Sequence, residues 1–341
     1  MKTIGILTGG GDCPGLNAVI AGVVRKAMVE GYKVLGIRRG WRGMLECDKV
    51  ELSLKDVIGI VSRGGTILHT SRTNPCKSDE LMSQVMDNFK KMGLHALVAI
   101  GGDDTLGAAK KLFEAGLPAV GVPKTIDNDL SGTDRTFGFD TAINVVMEAC
   151  DRLKTTAESH ERVMVVEIMG RHAGWISLWA GLAGAASYVL IPEVKTDLDD
   201  LCRALKERHE NYAKFSIVAV AEGADLGGDL LLQTEERDAF GNVRLGGVGE
   251  RLAKEIEKRT GYETRCVVLG HLQRGGSPTA LDRFVGLRFG VHAVELIKRG
   301  DFGRMVSLRG NDMVSVPLAE AVSKLRTVPK ELYEEARLFF I

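Results

Sequence analysis

The chain has 341 residues, with 45 lysines and arginines balanced by 45 aspartates and glutamates, enough for one large or two medium domains with well-buried cores. Zero formal charge excludes the broad basic face that nucleic acid or an anionic membrane would need, so any electropositive site must be local. Six scattered cysteines without CxxC or zinc-like spacing point to reduced thiols in a cytoplasmic protein, the N-terminus is unlike a signal peptide, and no apolar stretch approaches membrane-spanning length.

Residues 3–8 read as a buried strand that runs into Gly9-Gly10-Gly11-Asp12-Cys13-Pro14-Gly15, with a helix expected over 16–30. A strand, a glycine turn and a helix N-terminus make an anion site. The sixth position counted from Gly9 is Pro14, and no Gly-Lys-Ser/Thr ending follows, so both the dinucleotide fingerprint and the P-loop lose ground. A second short strand is expected over 33–37. Arg72 then falls in a polar loop after an apolar strand, where a guanidinium can bridge phosphate oxygens.

Two short apolar runs, 96–100 and 119–122, flank a helix-like stretch and predict a βαβ unit. Parallel strands open their C-termini on one edge, so Gly101-Gly102-Asp103-Asp104-Thr105 and Lys124-Thr125-Ile126-Asp127-Asn128-Asp129 should face each other across a crevice. Four carboxylates, one ammonium and exposed backbone amides would converge there. Such a group suits a metal-bound polyphosphate and a hydroxyl to be activated.

A long helix over 139–160 follows, with apolar residues on one face, and strands are expected over 162–168, 187–191, 215–221 and 264–269. Polar clusters recur at the strand ends, among them Met169-Gly170-Arg171-His172-Ala173-Gly174-Trp175, Glu222-Gly223-Ala224 and Gly270-His271-Leu272-Gln273-Arg274-Gly275-Gly276. This repetition predicts an α/β architecture with mainly parallel sheets and sites outside their C-terminal edges. The best local boundary lies near 136–139, with a second hinge-like stretch at 246–249, so the chain is expected to cross between two lobes more than once.

GGDDT, PKTIDND, MGRHAGW and GHLQRGG occur in this order across nearly the whole chain. Together they resemble the 6-phosphofructokinase family, and within it the pyrophosphate-dependent or mixed-substrate bacterial branch. The resemblance implies two similar α/β lobes with the active site between them. Residues 1–138 plus about 251–304 would bind the phosphoryl donor. Residues from about 139 to 250, plus part of the C-terminal segment, would bind the sugar phosphate.

The activity so implied is transfer of a phosphoryl group to the 1-hydroxyl of fructose 6-phosphate. Asp127 would be the general base, supported by Asp129, with Thr125 at the same centre, and Asp103 would associate with Mg²⁺. Gly11 and Gly102 would cradle the donor, and Arg72 would span the donor and acceptor phosphoryl groups. Sugar-phosphate recognition would fall to Met169, Gly170, Arg171, Glu222, His271 and Arg274, joined by Arg162 and Arg265 from a neighbouring subunit, so a homodimer or homotetramer is expected.

ATP-specific members of the resembled family have glycine where Asp104 stands and often where Lys124 stands. A carboxylate beside a nucleotide's α-phosphate costs roughly 4 kcal/mol at about 4 Å and an effective dielectric near 20, or about three powers of ten in affinity. The Lys124 ammonium could neutralise the transferring group and the departing phosphate. Pyrophosphate is therefore the expected donor, in a readily reversible reaction. An ATP-dependent phosphofructokinase and a non-catalytic sugar-phosphate-binding homologue are the alternatives.

Overall fold

The computed structural model describes residues 1–227 and 246–340. Its first stretch builds β1 (Thr3–Thr8), α1 (Leu16–Val29), β2 (Lys33–Ile37), α2 (Trp41–Glu46), β3 (Lys49–Leu52), α3 (Leu54–Val57), α4 (Asp79–Lys91), β4 (Ala96–Gly101), α5 (Asp103–Glu114) and β5 (Ala119–Pro123). The next builds α6 (Phe139–Ser159), β6 (Val163–Ile168), α7 (Trp175–Ala183), β7 (Tyr188–Leu190), α8 (Leu198–Asn211), β8 (Ser216–Ala221), α9 (Val248–Thr260) and β9 (Thr264–Val268). Helix α10 (Ala280–Arg299), the hairpin β10 (Arg304–Arg309) and β11 (Asp312–Pro317), α11 (Leu318–Ala321) and α12 (Lys330–Arg337) complete the chain.

The strands form two sheets. The larger has the order β11-β10-β5-β4-β1-β2-β3, and its five inner strands run parallel between antiparallel edges β3 and β11. The smaller, β7-β8-β6-β9, is parallel throughout. Every residue of β4 and β5 is buried, as an unbroken apolar run demands when helices cover both faces of a sheet. Leu97 lies opposite Ala119 and Gly101 opposite Pro123, which brings the two polar turns beyond these strands to one edge. Between them α5 buries Leu106, Ala109 and Leu112 on one stripe.

Helix α10 packs against the middle of α1 so closely that side chains are excluded at the contact. A Cβ on Gly22 would stand 2.4 Å from the Leu287 carbonyl oxygen, and one on Gly290 2.4 Å from that of Val19. The apolar core runs without a break from Val98 in the larger sheet to Val166 in the smaller. The lobes therefore share buried surface.

Two expectations need correction. Strand β9 pairs with β6, with Thr264 opposite Val163, and α9 buries Leu252, Ala253 and Ile256 in the same lobe's core. Residues 251–268 thus sit with the smaller sheet, and the chain returns to the larger one only at α10 and β10. An apolar helix stripe shows that a sheet must cover it but not which sheet. Residues 62–68 form turns in place of the apolar strand expected ahead of Arg72: Gly65 has φ 63°, and Asn17 takes up the local backbone, donating to the Arg63 carbonyl (3.0 Å) and accepting from Ile67 N–H (2.9 Å).

Candidate active site

At the C-terminal end of β1, Gly9 N–H donates to the Ile100 carbonyl (2.9 Å) and Gly10 N–H to that of Ser71 (3.0 Å). The glycine turn is thereby fixed against β4 and against the loop that carries Arg72. Gly10 has φ 76°, a left-handed conformation that costs glycine little. Lys124, buried at the end of β5, donates from Nζ to the Gly11 carbonyl at 2.5 Å. Burial pushes its ammonium down from the ordinary lysine value. A Cβ on Gly11 would stand 2.7 Å from Arg274 Nη1, and that guanidinium is held by the Asp12 carbonyl at 3.1 Å. Cys13, wholly buried beside Lys124, has its thiol pushed up to about 12 by burial, so it stays protonated.

The next turn carries the acids. Asp127 is 5% exposed, and its Oδ1 has no hydrogen-bond partner. Its N–H donates to Thr125 Oγ1 (3.0 Å), and Asn128, at φ 53°, accepts from Thr136 N–H at Oδ1 (3.0 Å). Burial, and then the neighbouring Asp127 charge, push the Asp129 carboxyl up to about 7. Asp103 and Asp104 open α5 and face this turn across the cleft. Asp103 is exposed at its rim, yet the cleft walls desolvate its carboxyl and push it up, with Arg171 opposing the shift. Gly102, Arg72, Arg171 and Arg274 line the same cleft.

The smaller lobe contributes its own strand ends. Gly170 and Arg171, just beyond β6, donate their N–H groups to Glu222 Oε1 at 3.2 and 2.9 Å. Glu222 lies just beyond β8, and burial raises its carboxyl while these bonds hold it down. Met169 N–H donates to Gln273 Oε1 (3.2 Å), which ties this turn to Gly270–Arg274, where His271 is exposed.

The family model for phosphofructokinase matches residues 3–297. The chain belongs to the phosphofructokinase family. It is 58% identical over 341 residues to a pyrophosphate–fructose 6-phosphate 1-phosphotransferase of Streptomyces coelicolor, covering 99% of each chain. It is also 54% identical over 339 residues to ATP-dependent 6-phosphofructokinase 2 of the same organism, again covering 99% of each. Its fold matches the Pichia pastoris phosphofructokinase in the T-state with a TM-score of 0.85 and 32% identity, covering 99% of this chain and 36% of that one.

In this phosphofructokinase-family chain the sequence-derived residues divide into three groups, one of them being Met169, Gly170, Glu222 and His271 at the smaller lobe's strand ends. Gly11, Arg72, Gly102, Asp103, Asp104, Lys124, Thr125, Asp127, Asp129, Arg171 and Arg274 line one cleft, and Gly10 and Thr105, which the sequence reading did not single out, join them. Arg162 and Arg265 do not. They stand at the opposite end of the smaller sheet from Glu222, beside the start of β6 and β9, where both pair with Glu263 at 2.7 and 2.5 Å. The sequence reading also passed over Arg326, whose Nη1 donates to the Asn128 carbonyl at 3.1 Å. It lies in no recognisable motif.

Proposed function

We propose that the chain is a pyrophosphate:fructose 6-phosphate 1-phosphotransferase, catalysing reversible phosphorylation of fructose 6-phosphate to fructose 1,6-bisphosphate. The carrying observation is one cleft that holds an Asp127 oxygen without a partner together with Lys124 and Asp104. The sugar's 1-hydroxyl oxygen attacks one phosphorus of pyrophosphate, the bridging P–O bond breaks, and orthophosphate leaves. Asp127 accepts the hydroxyl proton as the new bond forms, an effect typically worth about 10²–10⁴ in rate. Lys124, Arg72 and the Gly11 turn offset the phosphate charge and hold the donor in line. Arg171, Glu222, His271 and Arg274 bind the sugar phosphate.

Among the described residues no group of three or more His, Cys, Asp or Glu side chains could by itself hold a metal ion. A single desolvated carboxylate beside a phosphate cradle fits Mg²⁺, which keeps its waters and takes one or two carboxylates plus phosphate oxygens. Asp103 would hold it, and the ion would neutralise phosphate charge when bound.

The donor assignment rests on Asp104, whose carboxylate and bulk act against a nucleotide's α-phosphate, and on the charge of Lys124. Under this reading the larger-sheet lobe binds the donor and the smaller-sheet lobe the sugar phosphate. Six strand residues at about 3.3 Å each separate Arg162 from the Glu222 edge by roughly 20 Å. Such a span supports a role for Arg162 and Arg265 in the cleft of a second copy, within a homodimer or homotetramer. Six free thiols suit a reducing, cytoplasmic setting.

The test supplies fructose 6-phosphate and Mg²⁺ with either pyrophosphate or ATP and measures fructose 1,6-bisphosphate. Turnover with pyrophosphate at least about 10³-fold above ATP is expected from the charge argument. Turnover with ATP alone would overturn the donor assignment.

A further inference from the structure

The unpartnered Oδ1 of Asp127 leaves the aim of that carboxylate to the backbone beneath it. Thr125 and Thr136 hold one side of the turn through Asp127 N–H and Asn128 Oδ1. The other side is held by Arg326, 198 positions further along the chain from Asn128. Arg326 Nη1 donates to the Asn128 carbonyl (3.1 Å), and its own N–H donates to the Asp129 carbonyl (2.8 Å). Both carbonyls lie on the C-terminal side of the left-handed Asn128, a conformation that persists where its surroundings over-determine it.

The same arginine reaches the other lobe. Its guanidinium carbon lies 4.2 Å above the Trp175 ring, and Trp175 Nε1–H donates back to the Arg326 carbonyl at 2.9 Å. Trp175 opens α7, directly after the turn that presents Arg171. Two residues beyond Arg326, Val328 N–H donates to Glu193 Oε1 (2.9 Å), which also accepts from Gly174 N–H (2.9 Å). Toward the larger lobe, Leu325 bridges to Leu130, and Ser131 Oγ donates to the Lys324 carbonyl at 2.8 Å.

We infer that Arg326 is a positioning residue, which clamps the Asn128 and Asp129 carbonyls and, through Trp175, registers the Asp127 turn of one lobe against the Arg171 turn of the other. The catalytic consequence rests on the proposed function, whereas the clamp itself can be measured without turnover. Small misplacements of a reacting group cost about 10²-fold in rate, so the clamp should act on kcat and leave substrate binding nearly intact.

The test compares the full-length chain with Arg326→Met, which keeps an apolar body against Trp175 but loses the donors, and with Arg326→Lys, which keeps the charge. Amide exchange over residues 126–130 should quicken about tenfold or more in Arg326→Met. Its kcat should fall about 10- to 100-fold while both KM values stay within about threefold, and Arg326→Lys should recover part of the loss. If Arg326→Met does not fold, Arg326→Lys carries both measurements, with smaller changes of the same sign expected. Unchanged exchange overturns the clamp, and faster exchange with unchanged kcat overturns its role in positioning. A fall in kcat with a comparable rise in both KM values would show that the site as a whole is disturbed and equally overturn it. Should the unmodified chain turn over with neither donor, the proposed function fails, while the exchange measurement still decides the clamp.

Discussion

Lys124 Nζ donates to the Gly11 carbonyl oxygen at 2.5 Å, so the ammonium at the end of β5 is bound to the glycine turn at the end of β1. The two turns that would flank a donor's phosphates are thereby held at one spacing before any donor arrives. Such preorganisation removes reorganisation cost from the transferring step.

Replacing Lys124 with methionine keeps the buried stem and removes both the charge and this tie. Pyrophosphate-dependent kcat/KM should fall by about 10³-fold or more, whereas affinity for fructose 6-phosphate, measured calorimetrically, should change little. An equal loss on both substrates would mean that Lys124 holds the fold and does not act on the donor.

Asp127→Asn keeps the shape of the side chain but cannot take a proton. Loss of kcat by about 10²–10⁴ is expected. The same variant should melt a few degrees higher, because it removes the charge that helps push the buried Asp129 carboxyl up. Calorimetric melting of the two proteins, free of substrate, checks the second half of the prediction.

The pH dependence of stability follows from Asp129, raised from its ordinary 3.8 to about 7. Between these values the folded protein retains a proton that the unfolded chain has released. Stability therefore decreases as pH rises through the window and levels off above it. Buried Asp282, raised to about 6, adds to the slope with the same sign. In Asp127→Asn the charge that helps raise Asp129 is gone, so the upper end of the window should move down. Melting midpoints from roughly pH 4.5 to 8 report both effects.

Asp104→Gly removes the carboxylate that the proposed donor assignment sets against a nucleotide's α-phosphate. ATP-dependent turnover should rise by at least about tenfold, since part of a roughly 4 kcal/mol repulsion is relieved. Pyrophosphate-dependent turnover should change less. Rates with the two donors, measured on one preparation, decide whether Asp104 sets donor choice.

The central βαβ unit was legible because its signals are local: two buried apolar runs, an amphipathic helix between them and polar turns at the strand ends. The motifs that carry Asp103, Lys124, Asp127 and Arg171 are contiguous and sit directly after strands, so parallel pairing alone brings their turns to one edge. Tertiary structure decided what depends on pairing between distant segments. Thr264–Val268 joined the smaller sheet because β6 had an edge to satisfy, and Arg162 and Arg265 came to lie at the far end of that sheet. The unpartnered Asp127 Oδ1 and the hold of Arg326 on its turn also arise only in the folded chain. Hydrogen bonding and burial there join residues whose neighbours in sequence carry no trace of the contact.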